Sequence, residues 1–235
     1  MKRETTNCIR FVLEECIPPI LRDSKIFLYL ASLAYGKHLY ELAEFRKKSW
    51  KITDQEYEAL YRNHPRVHGF TDNSKKCISL ILDTVVGESV LDVGCGTGYL
   101  IEKIKSSFPN KYCMGVDIGC KHLSGDASNS TTRVDFQAAR IENLPFTDDS
   151  FDTVICTHTL EHVLDIHVCL RELRRVAHRR LIIVVPKERE SQTAFNPHLQ
   201  FFPYQHSLLR VLRPLVPFQL FEINRDFFYC EYIDR

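Results

Sequence analysis

The chain has 235 residues, 44% of them hydrophobic and 26% charged, enough for one sizeable core and too balanced for wholesale disorder. Its 31 basic and 30 acidic residues leave a net charge of +1, which argues against a general nucleic-acid coat. Nine cysteines, an odd number with no Cys-x-x-Cys spacing, fit neither a complete disulfide framework nor a zinc knuckle. They read as small buried thiols in a reduced, cytoplasmic compartment.

Met1 to Asn7 leads into no long apolar region, so no secretory signal is expected. The apolar stretch Ile26–Tyr35 is shorter than the about 18–20 residues needed to span a bilayer, and it predicts a buried helix ending near Gly36. Lys37 to Trp50 predicts an amphipathic helix whose basic residues, interrupted by acids, leave a peripheral membrane contact open. Thr53 and Glu56 have the spacing of a capping box, so a short helix should run from Glu56 to Arg62, before His64-Pro65 breaks it. Thr71-Asp72-Asn73-Ser74 is a second N-cap cluster ahead of a helix burying Cys77, Ile78, Ile81 and Val85.

From about residue 75 apolar runs alternate with helical patterns. Strands are expected at Ser89–Val93, Tyr112–Val116, Phe151–Cys156 and Leu181–Val185, with helices at Tyr99–Phe108 and around Ile166–Val176. This alternation implies βαβ units, an α/β fold with a doubly wound, mostly parallel sheet. The end differs: Phe218–Ile223 and Phe227–Ile233 flank Asn224-Arg225-Asp226 as an antiparallel hairpin.

The strongest local signal is Val90-Leu91-Asp92-Val93-Gly94-Cys95-Gly96-Thr97-Gly98, a strand end and helix start around three alternate glycines. Glycine there permits positive φ and a close backbone approach to a ligand. The third glycine falls one residue earlier than in the dinucleotide fingerprint. Asp117 closes the next strand, where a carboxylate accepts ribose hydroxyls.

These residues resemble the nucleotide motif of the class I S-adenosylmethionine-dependent methyltransferases, most closely the type 11 subgroup. The resemblance extends through Glu142-Asn143-Leu144-Pro145-Phe146, Asp149-Ser150-Phe151-Asp152, Leu160-Glu161-His162-Val163 and His198-Leu199-Gln200-Phe201-Phe202. It implies a seven-stranded Rossmann-like domain over 75–235 and a helical N-terminal cap over 1–74. It implies S-adenosyl-L-methionine as methyl donor, S-adenosyl-L-homocysteine as product, and in-line transfer to a small-molecule, lipid or saccharide acceptor, at oxygen or nitrogen. No nucleic-acid partner is expected.

The resemblance also implies roles. Gly94, Cys95, Gly96, Thr97 and Gly98 would cradle the cofactor, Asp92 would orient the loop or the cofactor's ammonium, and Asp117 would hold the ribose. Ile118 would pack on adenine. Relatives carry an acid near Arg140, so adenine recognition falls to the backbone of Arg140 and Ile141. Cys156 and Thr157 would stand at the methionine side. His158 is the first candidate general base and His198 a second. His162, Phe201, Phe202, Tyr204, His206, Tyr57 and Tyr61 are acceptor-side candidates, with Phe195, His64, Arg66 and His68 behind them. No metal is implied. The basic group Arg171, Arg174, Arg175, Arg179 and Arg180 reads as solvated cations near a helix C-terminus. Two competing readings are a non-catalytic methyltransferase-like binding domain and a nicotinamide oxidoreductase, the latter disfavoured by Tyr99 where a glycine is required.

Overall fold

The structure is a computed structural model that describes residues 8, 9, 11–36, 38–63, 71–119, 133–192 and 196–233. His64, Arg66, His68 and Phe195 lie outside the described residues, and so does the side chain of Tyr61. The chain divides into two compact units, one drawn from 1–69 with 188–203 and the other from 70–187 with 204–235.

The larger unit is built on a seven-stranded sheet. Its strands are β1 (Ser89–Val93), β2 (Tyr112–Asp117), β3 (Asp135–Ala138), β4 (Phe151–Thr157), β5 (Ala177–Pro186), β6 (Phe218–Ile223) and β7 (Asp226–Tyr232), in the spatial order β3-β2-β1-β4-β5-β7-β6. The pairings among β1–β5 are parallel, and β7 is antiparallel to both β5 and β6. The order runs outward in both directions from β1 and β4, so a crevice opens at their carboxyl ends, where doubly wound sheets bind ligands. The chain thus has the Rossmann-like methyltransferase topology.

Helices α5 (Lys75–Thr84), α6 (Tyr99–Ser107), α7 (Ile166–Val176) and α8 (Gln205–Leu212) belong to this unit. The Ser74 hydroxyl accepts from Cys77 N at 3.1 Å, so the cap signal read there is used, and Asp165, which the sequence reading did not single out, caps α7 by accepting from His167 N and Val168 N. The three-and-four spacing on α5 and α6 sends Cys77, Ile81, Ile101 and Ile104 into one core with Val90, Ile155, Ile182 and Phe228. The turn between β6 and β7 holds Asn224 and Arg225 at φ +49° and +65°, the left-handed pair that a two-residue hairpin needs.

Two elements depart from the sequence reading. Strand β3 was not expected, since it offers only four residues and a weak alternation of Phe136 with Ala138. Strand β5 starts at Ala177, directly after α7, rather than at Leu181. Its polar start is accommodated because Arg180 pairs in register with Tyr232 and lays its guanidinium 4.4 Å from that ring centroid.

The basic group is only partly a set of solvated cations: Arg171 and Arg179 are exposed, whereas Arg174 and Arg175 are engaged. Arg174 Nε lies 3.0 and 3.1 Å from the two carboxylate oxygens of buried Glu231, and Arg174 Nη2 donates to Leu212 O. Arg175 donates to Glu172, Asp148 and the carbonyls of Leu144 and Phe146. Two arginines therefore pin the hairpin and the Leu144–Asp148 loop, as charge-assisted bonds do where solvent is limited.

The smaller unit is helical. It contains α1 (Pro19–Arg22), α2 (Lys25–Tyr35), α3 (His38–Lys48) and α4 (Asp54–Asn63). Ser24 caps α2 through Phe27 N, and Thr53 and Glu56 form the expected box, with Thr53 N to Glu56 Oε2 at 2.9 Å and Glu56 N to Thr53 Oγ1 at 3.3 Å. Helix α2 is where the sequence predicts it, but it is not wholly buried. Phe27, Leu28 and Ala31 face Leu39 and Leu42 of α3, while Ile26, Tyr29, Leu30 and Leu33 are exposed. The segment 188–203 joins this unit through Tyr57 Oη donating to Pro197 O at 2.9 Å and the Arg46 guanidinium 4.4 Å from the Phe201 ring centroid.

Candidate functional site

The glycine loop follows β1 and is tied to β2. Gly94 N and Cys95 N both donate to Val116 O, at 2.7 and 3.0 Å, and Gly98 N returns to Cys95 O at 2.9 Å. Gly94, Gly96 and Gly98 all have positive φ, +76°, +56° and +80°. At Gly94 a Cβ would run into the side chain of Thr159, so the residue is glycine for space as well as for φ. Gly98 then serves as the N-cap of α6.

Asp117 ends β2 and closes the loop. Its Oδ2 accepts from Gly96 N at 3.0 Å and its Oδ1 from Gly119 N at 2.8 Å. Each oxygen keeps a lone pair, so the carboxylate still has capacity for two hydroxyl donors. Ile118, the expected adenine contact, is exposed, and Ile141 is buried. Arg140 lies 3.5 Å from Glu142 and bridges to Asn143 across the backbone.

Asp92, on β1, is 1% exposed, and its Oδ2 has no hydrogen-bond partner within the protein. Burial raises its pKa to about 7, and the nearby negative charge of Asp117 adds to the shift. A buried acceptor without a donor, beside a loop that excludes side chains, is the local signature of a cationic, backbone-hugging ligand. The amino-acid end of S-adenosylmethionine carries that cation, and a carboxylate at the end of β2 matches its ribose. The residues present fit this cofactor.

Strand β4 delivers the other wall. Cys156 is fully buried, and Thr157 Oγ1 accepts from Asn73 Nδ2 at 2.9 Å. Thr159 Oγ1 donates to Thr157 O at 3.0 Å. Burial pushes the Cys156 thiol well above its ordinary range, with the negative charges around it adding to the effect. Together with the burial of Cys95, this makes both thiols poor targets for modification. Among the described cysteines, Cys8 and Cys16 are exposed and the other six are buried, all free, so the expectation of buried fillers holds for those six.

His158 leaves β4 in the left-handed region, φ +49°, held by its N–H donating to Val184 O at 2.8 Å. Such a backbone in a non-glycine residue is costly and concentrates at working sites. Its Nδ1 lies 3.5 Å from Glu161 Oε1 and its Nε2 3.8 Å from Asp226 Oδ2. Both acids are almost wholly buried. Burial alone would lower the His158 pKa, but Asp226 and then Glu161 outweigh it, and the net shift is upward. The sequence reading missed Asp226. It sits at the foot of the hairpin, where a turn role masks its position opposite β5 in register with Pro186.

The other candidates are divided. In the sheet unit, Tyr204 stacks on His206 at 5.1 Å, and His162 N donates to Thr159 O at 3.0 Å. In the helical unit, His198 Nδ1 lies 2.5 Å from Glu188 Oε2, whose other oxygen accepts from Asn196 Nδ2 at 3.0 Å. Phe202 is buried there, Phe201 lies against Arg46, and Tyr57 is stacked with Phe45 at 5.8 Å. The acceptor-side candidates therefore belong to two units.

A family model described as a methyltransferase domain matches residues 85–205. The chain is 32% identical over 144 residues to a ubiquinone biosynthesis O-methyltransferase of Idiomarina loihiensis, covering 57% of this chain and 56% of that protein. It is 33% identical over 95 residues to a demethylmenaquinone methyltransferase of Corynebacterium urealyticum, covering 40% and 39%. It spans about half the length of such curated relatives, or less. Among solved structures, an S-adenosylmethionine-dependent methyltransferase from Aquifex aeolicus aligns with a TM-score of 0.53 at 17% identity, over 78% of this chain and all of that one. A putative methyltransferase of Haloferax volcanii, solved with the Trm112 activator, aligns at 0.55 and 14% identity, over 83% and 98%. These two likenesses concern the fold.

Proposed function

The chain belongs to the methyltransferase-domain family, of the class I S-adenosylmethionine-dependent type, and on that premise we propose that it transfers a methyl group from S-adenosyl-L-methionine to an oxygen or nitrogen of a small-molecule or lipid acceptor. The observation that carries this reading is the glycine loop closed onto Asp117 with the unpartnered carboxylate of Asp92 behind it. The bound cofactor supplies an electrophilic methyl on a sulfonium, so the protein's task is positioning and proton management.

In this reading Asp117 holds the ribose hydroxyls, Asp92 balances the ammonium, and the loop from Gly94 to Gly98 lets the backbone approach closely. Ile118, Arg140 and Ile141 border the adenine side, and Cys156 and Thr157 the methionine side. His158 takes the acceptor's proton. Asp226 and Glu161 hold its ring and favour the imidazolium formed when the proton arrives, which makes neutral His158 a stronger base. The helical unit carries the second base candidate, His198, and the acceptor candidates Tyr57, Tyr61, Phe201 and Phe202, and the sheet unit carries His162, Tyr204 and His206. The quinone-pathway names of the relatives make quinols the first acceptors to try, with glycan precursors next.

Calorimetry with S-adenosyl-L-homocysteine tests the cofactor assignment. Wild type should bind, and Asp117→Ala should bind roughly a thousandfold more weakly, since two charge-assisted hydrogen bonds disappear. No binding by wild type, or equal binding by the variant, overturns it. A binding domain without catalysis predicts cofactor binding but no transfer of labelled methyl to any quinol, phenol or glycan precursor offered.

A further inference from the structure

The helical unit leaves an apolar surface that its own core does not use. Helix α2 has nine apolar residues among its eleven. Ile26, Tyr29, Leu30 and Leu33, spaced i, i+3, i+4 and i+7, stand 73%, 56%, 57% and 69% exposed. Ile20 and Leu21, one turn ahead on α1, are exposed as well. Helices apolar all round are normally covered, and monomers rarely leave such a continuous patch open. At about 16 Å, α2 is too short to cross a bilayer, and among the described residues no helix is long and apolar enough to do so.

The charges around the patch point to what covers it. From Ser24 to Tyr40 the sequence carries Lys25 and Lys37 and no acid. Helix α3 packs against the inner face of α2 and ends Arg46-Lys47-Lys48, of which Lys47 and Lys48 are exposed while Arg46 is turned onto Phe201. The next turn presents Trp50, 82% exposed, with Lys51 Nζ 5.5 Å from its ring centroid. The exposed acids of α3 are Glu41 and Glu44, and Glu44 is paired with Lys47 at 2.7 Å. An apolar stripe with basic flanks and an exposed tryptophan suits the headgroup region of an anionic bilayer. A second copy meeting the same face would bring lysines to lysines.

We infer that the outer face of α2, with Trp50, docks this protein onto anionic lipid surfaces. The inference does not depend on the cofactor reading, and cofactor binding serves only as a folding control.

The test uses the whole chain and vesicles of phosphatidylcholine containing roughly one-third phosphatidylserine. Trp50 is the single tryptophan, so its emission reports this region without labelling. The protein should float with these vesicles, its emission should shift to the blue, and partitioning should fall severalfold on pure phosphatidylcholine. The Leu30→Glu/Leu33→Glu variant should partition at least about tenfold more weakly, with circular dichroism and S-adenosylhomocysteine binding unchanged. Should that variant misfold, Leu30→Ser/Leu33→Ser makes the same comparison. Absence of flotation, equal partitioning by the variant, indifference to anionic lipid, or an unmoved Trp50 emission overturns the inference. So does a wild-type dimer that ignores vesicles and becomes monomeric in the variant, which would assign the face to a second copy.

Discussion

The sheet unit and the helical unit spend their apolar residues differently. In the first, the central strands β1 and β4 are buried almost along their whole length, and α5 and α6 each present one apolar face to the sheet. In the second, α2 is apolar on both sides, yet only Ala31, Leu39 and Leu42 form its buried cluster, against Phe27 and Leu28. The sheet unit also buries acids, Asp92, Glu161, Asp226 and Glu231, which a protein tolerates where charge has a partner or a task. The contrast separates a module stabilised from within from one whose surface is shaped for something outside it.

The largest expected effect sharpens this division at the level of chemistry. His158→Gln should lower turnover by about 10²–10⁴-fold with cofactor affinity intact, as loss of a general base does. His198→Gln, in the helical unit, should mainly raise KM. Equal losses in turnover would break the division. Asp226→Asn should move the acid limb of the pH–rate profile, and the imidazole titration seen by NMR, toward lower pH. The sign follows from the upward shift of His158. The stability its charged form lends is complete below its ordinary pKa and is lost as pH rises through the raised one.

Stability gives the next test. Ile101→Ala, in the sheet core, should cost about 2–5 kcal/mol in denaturant unfolding. Leu33→Ala should cost under about 0.5 kcal/mol, because its side chain already meets solvent. A loss of several kcal/mol at Leu33 would mean that the face is covered in the free protein.

A smaller effect comes from Asp92. Its raised pKa means that ionising this carboxyl penalises the ligand-free fold increasingly as pH rises from its unfolded value to about 7. A cationic ligand relieves that penalty and favours the ionised form. Affinity for S-adenosylmethionine should therefore rise with pH, by at most about tenfold per unit below 7, with proton release visible as buffer-dependent binding heats. Thr157→Val, which removes the Asn73 hydrogen bond, should cost about 1–2 kcal/mol in the same denaturant unfolding, between the Ile101 and Leu33 values.

Much of the sheet unit was legible in the sequence because its signals are local. Leu181–Val185 is a continuous apolar run, Val90–Val93 is broken only by Asp92, Ser74 is a cap, and the glycines at 94, 96 and 98 are fixed by backbone geometry. Asp117 was legible because a carboxylate at a strand end beside a glycine loop is a local signal, and it does tie that loop through Gly96 N. The pairings that stayed hidden are long-range. Asp226 reaches His158 only because β7 lies beside β5, and Glu231 takes Arg174 across the same fold, 57 residues away in sequence. The open face of α2 was hidden for another reason. Apolar periodicity says that a helix has an apolar side, and an all-round apolar helix does not reveal which side stays uncovered.

The contact between the space above Gly94 and the Thr159 side chain has a genetic consequence. Because a methyl group at position 94 would occupy the volume that Thr159 fills, the two positions cannot vary independently. Gly94→Ala alone meets both the steric clash and an unfavourable φ, whereas in a Thr159→Gly background only the φ strain remains. The double variant should therefore be more stable than the sum of the single changes allows. A lineage could leave glycine at position 94 only after position 159 had already shrunk.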